Sequence, residues 1–291
     1  MGKIHDALEK SGRAKALKVV PAIKKEPTPK HKATSTADTT ADVEAFDIRD
    51  VAPAKPQMSS GPQLDSRLVA YHDPTGVEAE IFKILRTNIL FPKTGTPPRS
   101  IMVTSAIPGD GKSFVAANLA ISVAQSVEEH VLLMDCDMRR SSIHTRFGFP
   151  EGVPGLSDYL SHRQPLETLL KKTVVDKLTI LPGGTPPDNP SELLSSQVMK
   201  DLLRETKQRY RDRYIIIDTP PPQLTAETTA LAKYIDGIII VVKYGATPKD
   251  LVMELVEKVG KEKIIGVVMN SYRVPTTERY GYGKYKKYQK E

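Results

Sequence analysis

Residues 100–126 read SIMVTSAIPGDGKSFVAANLAISVAQS, and the fold follows from them. A short apolar run, Ser100–Thr104, breaks at a glycine-containing loop, and the loop opens directly into an apolar helical pattern, Phe114–Ser126. The loop is Ala106-Ile107-Pro108-Gly109-Asp110-Gly111-Lys112-Ser113. Strand, glycine loop, Lys-Ser and helix in that order make a phosphate-binding loop. The glycines let several backbone N–H groups point inward at a helix N-terminus, which is an anion cradle. Lys112 adds a point charge for the β- and γ-phosphates, and the Ser113 hydroxyl can ligate Mg²⁺. The first glycine of the usual pattern is Ala106 here.

Working outward, further apolar runs lie at Val131–Met134, Leu178–Leu181, Tyr214–Ile217, Gly237–Val242 and Ile264–Met269. Helical patterns fall between most of them, at Glu78–Leu90, Glu192–Tyr210 and Lys249–Val259. Short β-branched runs separated by helices predict an α/β fold, a mostly parallel sheet with helices on both faces. Two runs end in carboxylates: Val131-Leu-Leu-Met-Asp135-Cys-Asp137-Met-Arg139 and Tyr214-Ile-Ile-Ile-Asp218-Thr-Pro. Ligands of open α/β sheets gather at the carboxyl ends of strands, so Asp135, Asp137 and Asp218 are candidate site residues. Asp218 is the natural Walker B aspartate, holding Mg²⁺ directly or through water.

The chain has 291 residues, one cysteine (Cys136) and a formal charge of +7. A single cysteine excludes an internal disulfide framework and suits a reducing compartment. The six histidines are scattered, without metal-ligand spacing. No window approaches the roughly 18 to 20 continuous apolar residues of a membrane span, and the N-terminus has no apolar signal region. The expected location is the cytoplasm. Residues 1–32 carry nine Lys/Arg against three Asp/Glu, and residues 273–291 carry six against two, which leaves the intervening chain slightly acidic. Excess charge in the tails, rather than on a folded face, argues against nucleic acid and leaves room for an anionic membrane surface or an acidic partner.

These features divide the chain into four parts. Residues 1–19 begin with MGKIHDALEK, a short amphipathic helix with Ile4, Ala7 and Leu8 on one face. Residues 20–73 include KKEPTPKHKATSTADTTAD, a composition that buries too little apolar surface to fold, and form the expected disordered linker. Residues 74–272 are the P-loop domain, and residues 273–291 a flexible tyrosine-rich tail.

At Glu78–Asn270 and in the tail the chain resembles the bacterial tyrosine kinases of capsule and exopolysaccharide synthesis. The likeness rests on the loop Ser105–Ser113, on Asp135-x-Asp137-x-Arg139, on the run Ile215–Pro221 and on LPGGTPPDNPSELLSS at 181–196. The resemblance implies an ATP-dependent protein-tyrosine autokinase. Gly109, Asp110, Gly111, Lys112, Ser113 and Phe114 would bind the nucleotide, with Asn270 near the adenine. Asp135 would take the proton of an incoming tyrosine, while Ser113, Asp137 and Asp218 would hold the metal. The segment EIFKILRTNILF is similar to the family's oligomerisation helix, whose Glu-x-x-Arg-x-x-Arg pattern reads Glu80, Lys83, Arg86 here. Tyr280, Tyr282, Tyr285 and Tyr288 all lie in the last twelve residues and match the family's tail acceptors. The implied partners are a transmembrane activator of the polysaccharide chain-length determinant type, further copies of the chain in a ring-shaped homo-oligomer and a cognate tyrosine phosphatase. The expected site of action is the inner face of the cytoplasmic membrane, with no nucleic acid involved. The rival reading is a ParA/MinD-type ATPase switch, whose loop carries an extra lysine where this chain has Ile107.

Overall fold

A computed structural model describes residues 63–209, 213–221 and 227–272. Their apolar runs become the strands β1 (Ser100–Ser105), β2 (His130–Asp135), β4 (Leu178–Leu181), β5 (Arg213–Asp218), β6 (Gly237–Lys243) and β7 (Ile264–Asn270). A two-residue strand, β3 (Lys171–Lys172), pairs antiparallel with β4, and every other pairing is parallel. The sheet order is β3-β4-β2-β5-β1-β6-β7. β1 and β5 are buried along their whole length, which is why both read as continuous apolar runs rather than alternating ones. β3 carries no such signal in its two lysines.

The order of the strands makes the site. β5 inserts between β1 and β2, so Asp135 at the end of β2 lies directly opposite Asp218 at the end of β5. Asp218 is also in register with Val103 of β1, the strand that feeds the phosphate loop. The Cys136 N–H donates to the Asp218 carbonyl at 2.8 Å and locks the two strand ends together. The chain leaves β1 toward β2 on one side, while β6 flanks it on the other. This is the switch point at which such sheets bind ligands.

The helices are α1 (Val69–His72), α2 (Val77–Leu90), α3 (Lys112–Ala124), α4 (Ile143–Arg146), α5 (Leu156–Leu160), α6 (Leu166–Leu169), α7 (Pro190–Ser195), α8 (Gln197–Arg209), α9 (Glu227–Ala232) and α10 (Lys249–Val259). α3 is buried on all sides from Val115 to Ala124, and α2 covers it. The single helix expected at 192–210 is two helices. Ser196 turns to extended geometry (φ −65°, ψ 162°) and its hydroxyl caps α8 through the Met199 N–H at 3.2 Å.

The folded domain also begins earlier than residue 74. Leu68 is fully buried and Ala70 nearly so. Buried Asn118 of α3 accepts from the Ala70 N–H at 3.0 Å and donates to the Arg67 carbonyl at 3.1 Å. Gln125 donates to the Ala70 carbonyl at 2.9 Å, and Arg146 reaches Asp65 at 3.2 Å. Buried side-chain amides thus satisfy the backbone of a segment whose composition alone reads as linker. The expected helix at 1–19, the linker as far as residue 62 and the tail 273–291 lie outside the described residues.

Candidate active site

The phosphate loop runs from β1 into α3 with Gly109 (φ 85°) and Gly111 (φ 98°) both left-handed. On Gly109 the direction a Cβ would take is open, whereas a Cβ on Gly111 would come within 2.0 Å of Asn270 Nδ2. Only glycine allows both the backbone angle and that approach.

Lys112 begins α3 and turns across the cleft. Its ammonium is 2.9 Å from Asp137 Oδ2 and 4.0 Å from Asp218 Oδ1. Burial pulls its pKa down, but Asp218 and Asp137 outweigh that and leave it raised, so the cation is kept. Asp218 is 1% exposed, and neither of its carboxylate oxygens has a hydrogen-bond partner. Burial pushes its pKa up to about 7 against the pull of Lys112. The Ser113 hydroxyl, turned toward the carboxylate, pulls the same way as Lys112. A buried carboxylate with both oxygens unused, beside a hydroxyl, offers oxygen ligands to a hard cation. Among the described residues no three His, Cys, Asp or Glu side chains form a ready-made cage. The unused Asp218 oxygens, with Ser113 and Asp137 beside the same cleft, are the groups that would hold a Mg²⁺ bound also by phosphate and water.

Asp135 is the carboxylate expected to take the tyrosine's proton. It is fully buried. Oδ2 accepts from Ser141 Oγ (2.8 Å), Ser142 N (3.0 Å) and Ile143 N (3.1 Å), and Oδ1 from Asp137 N (3.1 Å). Burial raises its pKa against these hydrogen bonds. In this arrangement Asp135 ties down the loop that presents Asp137 and the start of α4. Ser141 in turn contacts His144 Nδ1 at 3.1 Å, and His144 Nε2 lies 3.3 Å from Glu151.

Three further sets of expected site residues make the following contacts. The Phe114 ring packs edge-on against Phe82 of α2 (centroids 5.8 Å apart) and against the core, so its side chain is structural. Asn270 Nδ2 donates to the Asp110 carbonyl at 2.8 Å, which makes it a buttress of the phosphate loop. Asp110 is itself buried and bonded to Thr247 at 2.7 Å, a residue with no motif to announce it. On α2, Lys83 pairs with Glu80 at 3.1 Å, but Arg86 turns inward and donates to the Ser122 carbonyl of α3 at 2.8 Å. The exposed positions of α2 also include an apolar stripe, Val77, Ile81 and Ile84, each 43–50% exposed, beside the exposed Glu78, Glu80, Thr87 and Asn88. Tyr280, Tyr282, Tyr285 and Tyr288 lie outside the described residues.

Comparison with known proteins agrees with this geometry. The ParA family model, described as NUBPL iron-transfer P-loop NTPase, matches residues 97–281. The tyrosine-protein kinase YwqD of Bacillus subtilis is 35% identical over 224 residues, covering 76% of this chain and 93% of that one. The tyrosine-protein kinase Wzc of Salmonella typhimurium is 31% identical over 224 residues, and there the match covers only 31% of the relative's length. The solved kinase domain of the Escherichia coli tyrosine kinase ETK superposes with a TM-score of 0.68 at 26% identity, covering 76% of this chain and 85% of the other. The ParA match gives the fold family, and the named relatives are tyrosine-protein kinases. This chain therefore belongs to the bacterial tyrosine kinases within the ParA-type P-loop NTPases and is a protein-tyrosine kinase.

Proposed function

We propose that the enzyme transfers the γ-phosphoryl group of Mg-ATP to Tyr280, Tyr282, Tyr285 and Tyr288 of its own tail, one subunit acting on the next. The observation that carries this reading is the Lys112–Asp137 contact at 2.9 Å beside the buried, unpartnered Asp218 carboxylate. Lys112 and the loop amides receive the phosphates, and Ser113, Asp137 and Asp218 hold the metal, which neutralises charge on the transferred group. Asp135 takes the acceptor's proton when a tyrosine hydroxyl replaces the Ser141 hydroxyl. Ser141 is the one side-chain donor among the four that Asp135 accepts from, and it offers the same O–H group. Four tyrosines within nine residues, 280–288, with glycine and lysine between them, support their use as acceptors.

In the cell this activity would regulate exopolysaccharide or capsule synthesis and export, at the inner face of the cytoplasmic membrane. A transmembrane activator of the chain-length determinant type, a homo-oligomeric ring and a tyrosine phosphatase complete the proposal. Among the described residues no helix is long and apolar enough to cross a membrane.

The test is phosphosite mapping by mass spectrometry after incubation with Mg-ATP. Label should appear on the tail tyrosines. Lys112→Met should lose roughly a hundredfold or more of the activity, as removal of one preorganised charge contact does. The four-fold Tyr→Phe tail variant should fall to background while still binding nucleotide. Label persisting on tyrosines elsewhere would remove the tail as main acceptor, and near-normal activity of Lys112→Met would remove the site assignment.

A further inference from the structure

Asp110 is a buried carboxylate in the middle of the phosphate loop, 1% exposed and flanked by two left-handed glycines. A carboxylate so placed needs donors. Its close donor comes from 137 residues away, Thr247 Oγ1 at 2.7 Å from Oδ1, in the loop between β6 and α10. The Ile107 N–H within the phosphate loop reaches Oδ2 only at 3.4 Å.

The direction of the Thr247 proton follows from the hydrogen bonds around it. Thr247 Oγ1 accepts from the Lys243 N–H at 2.9 Å. Its own proton can go to the Lys243 carbonyl at 3.3 Å or to Asp110 at 2.7 Å, and the shorter, charge-assisted bond is favoured. Asn270 holds Asp110 from the other side through its carbonyl, and the Tyr244 N–H donates to the Asn270 carbonyl at 2.9 Å. The ends of β6 and β7 thus form a clamp on a residue whose neighbours are the two most permissive in the loop.

We propose that Thr247 is a positioning residue for the nucleotide phosphates: through Asp110 its hydroxyl holds the loop amides in their phosphate-receiving arrangement before nucleotide arrives. The inference rests on the reading of this loop as the nucleotide site. Without the hydroxyl, Asp110 gains by turning toward water, and the two glycines let its peptide groups turn with it. Binding must then reorder the loop, which weakens apparent affinity by the fraction of chains already ordered. Once bound, the phosphates supply the missing order, so turnover at saturation holds.

The experiment uses the full chain, with Mg-ADP binding by calorimetry and steady-state kinetics in ATP. Thr247→Val keeps the shape and removes the hydroxyl, and Thr247→Ser keeps the hydroxyl. Thr247→Val should weaken Mg-ADP binding and raise KM for ATP by roughly ten- to hundredfold, the effect of one hydrogen bond to a charged group. Its kcat should stay within about twofold of wild type, and Thr247→Ser should restore KM. Wild-type binding with Thr247→Val within twofold of it would overturn the inference and leave the nucleotide site standing. So would a fall in kcat together with melting temperature that serine does not rescue. A wild-type chain that binds no Mg-ADP would take down the nucleotide site itself and this inference with it.

Discussion

Asp218→Asn should make the nucleotide-free enzyme more stable while removing its activity. Asp218 is 1% exposed, its oxygens accept no hydrogen bond, and its pKa is pushed up to about 7. Its ordinary value is 3.8, so the folded state holds the ionised group at a cost of roughly 4 kcal/mol, about 1.4 kcal/mol per pH unit. That is a ceiling. The asparagine leaves Lys112 only its 2.9 Å partner Asp137, and it buries an amide with few partners of its own. The net gain at pH 8 should be about 1 to 2 kcal/mol, or roughly 3 to 6 °C in melting temperature for a domain of this size. The pH dependence is the sharper signature. Between about pH 4 and 7 the folded wild type keeps a proton there that the unfolded chain has released. Its stability therefore falls as pH rises through that window and levels off above it. The variant lacks this slope, so its advantage should be complete above pH 7, shrink as pH falls below 7 and turn into a disadvantage before pH 4.5. Urea denaturation at intervals from pH 4.5 to 8.5, without nucleotide or divalent metal, measures it. A variant less stable than wild type at pH 8, or a stability difference that does not change with pH, would refute the reasoning.

Asp236 provides the opposite case at the other end of the sheet. Burial raises its pKa, but the Lys207 ammonium and the N–H and hydroxyl of Ser100 outweigh it and hold it low. Its stabilisation is thus present at neutral pH and lost as pH falls below the ordinary carboxylate range, so Asp236→Asn should cost about 1 to 2 kcal/mol at pH 7 and little at pH 3 in the same assay. On α2, Arg86→Ala should cost about 1 kcal/mol of stability by freeing the Ser122 carbonyl, with no change in mass by light scattering. The paired change Ile81→Asp and Ile84→Asp should instead break any oligomer while leaving melting temperature nearly unchanged, since both side chains are half exposed. An oligomer that survives it would exclude the apolar face of α2 from assembly.

The strands and the phosphate loop are legible in the sequence because both are local. A buried parallel strand needs only a run of β-branched residues, and the loop needs only glycines at two positions between strand and helix. What sequence cannot carry is adjacency. Nothing in residues 100–218 says that β5 lies between β1 and β2, yet that order alone sets Asp135 beside Asp218. Asn118 reaches back 48 residues to Ala70, and Thr247 reaches Asp110 across 137. These contacts explain why the composition of residues 63–73 reads as linker although the segment is packed. They also explain why Thr247 carries no local signal at all. The packing of the Phe114 ring is hidden for a related reason. It stands next to Ser113 in the motif, but a helical side chain two positions from Lys112 points to another face, and here that face meets Phe82.

The carboxylates show how a shared motif divides its labour. Asp135, Asp137 and Asp218 look equivalent as strand-end acids. Their hydrogen bonds separate them into one whose four acceptor contacts are filled, one paired to a cation and one with none. A filled carboxylate gives geometry, a paired one gives charge balance, and an empty one gives a place for a ligand. The instability stored at Asp218 is tolerable because neighbouring groups hold the fold around it: Asp135 fixes the loop after β2, and Asn270 and Thr247 fix the loop after β1. A buried acid whose oxygens accept no hydrogen bond survives in a folded chain only where its surroundings are over-determined. That is why the site's strain and its clamps occur together at the carboxyl end of the sheet.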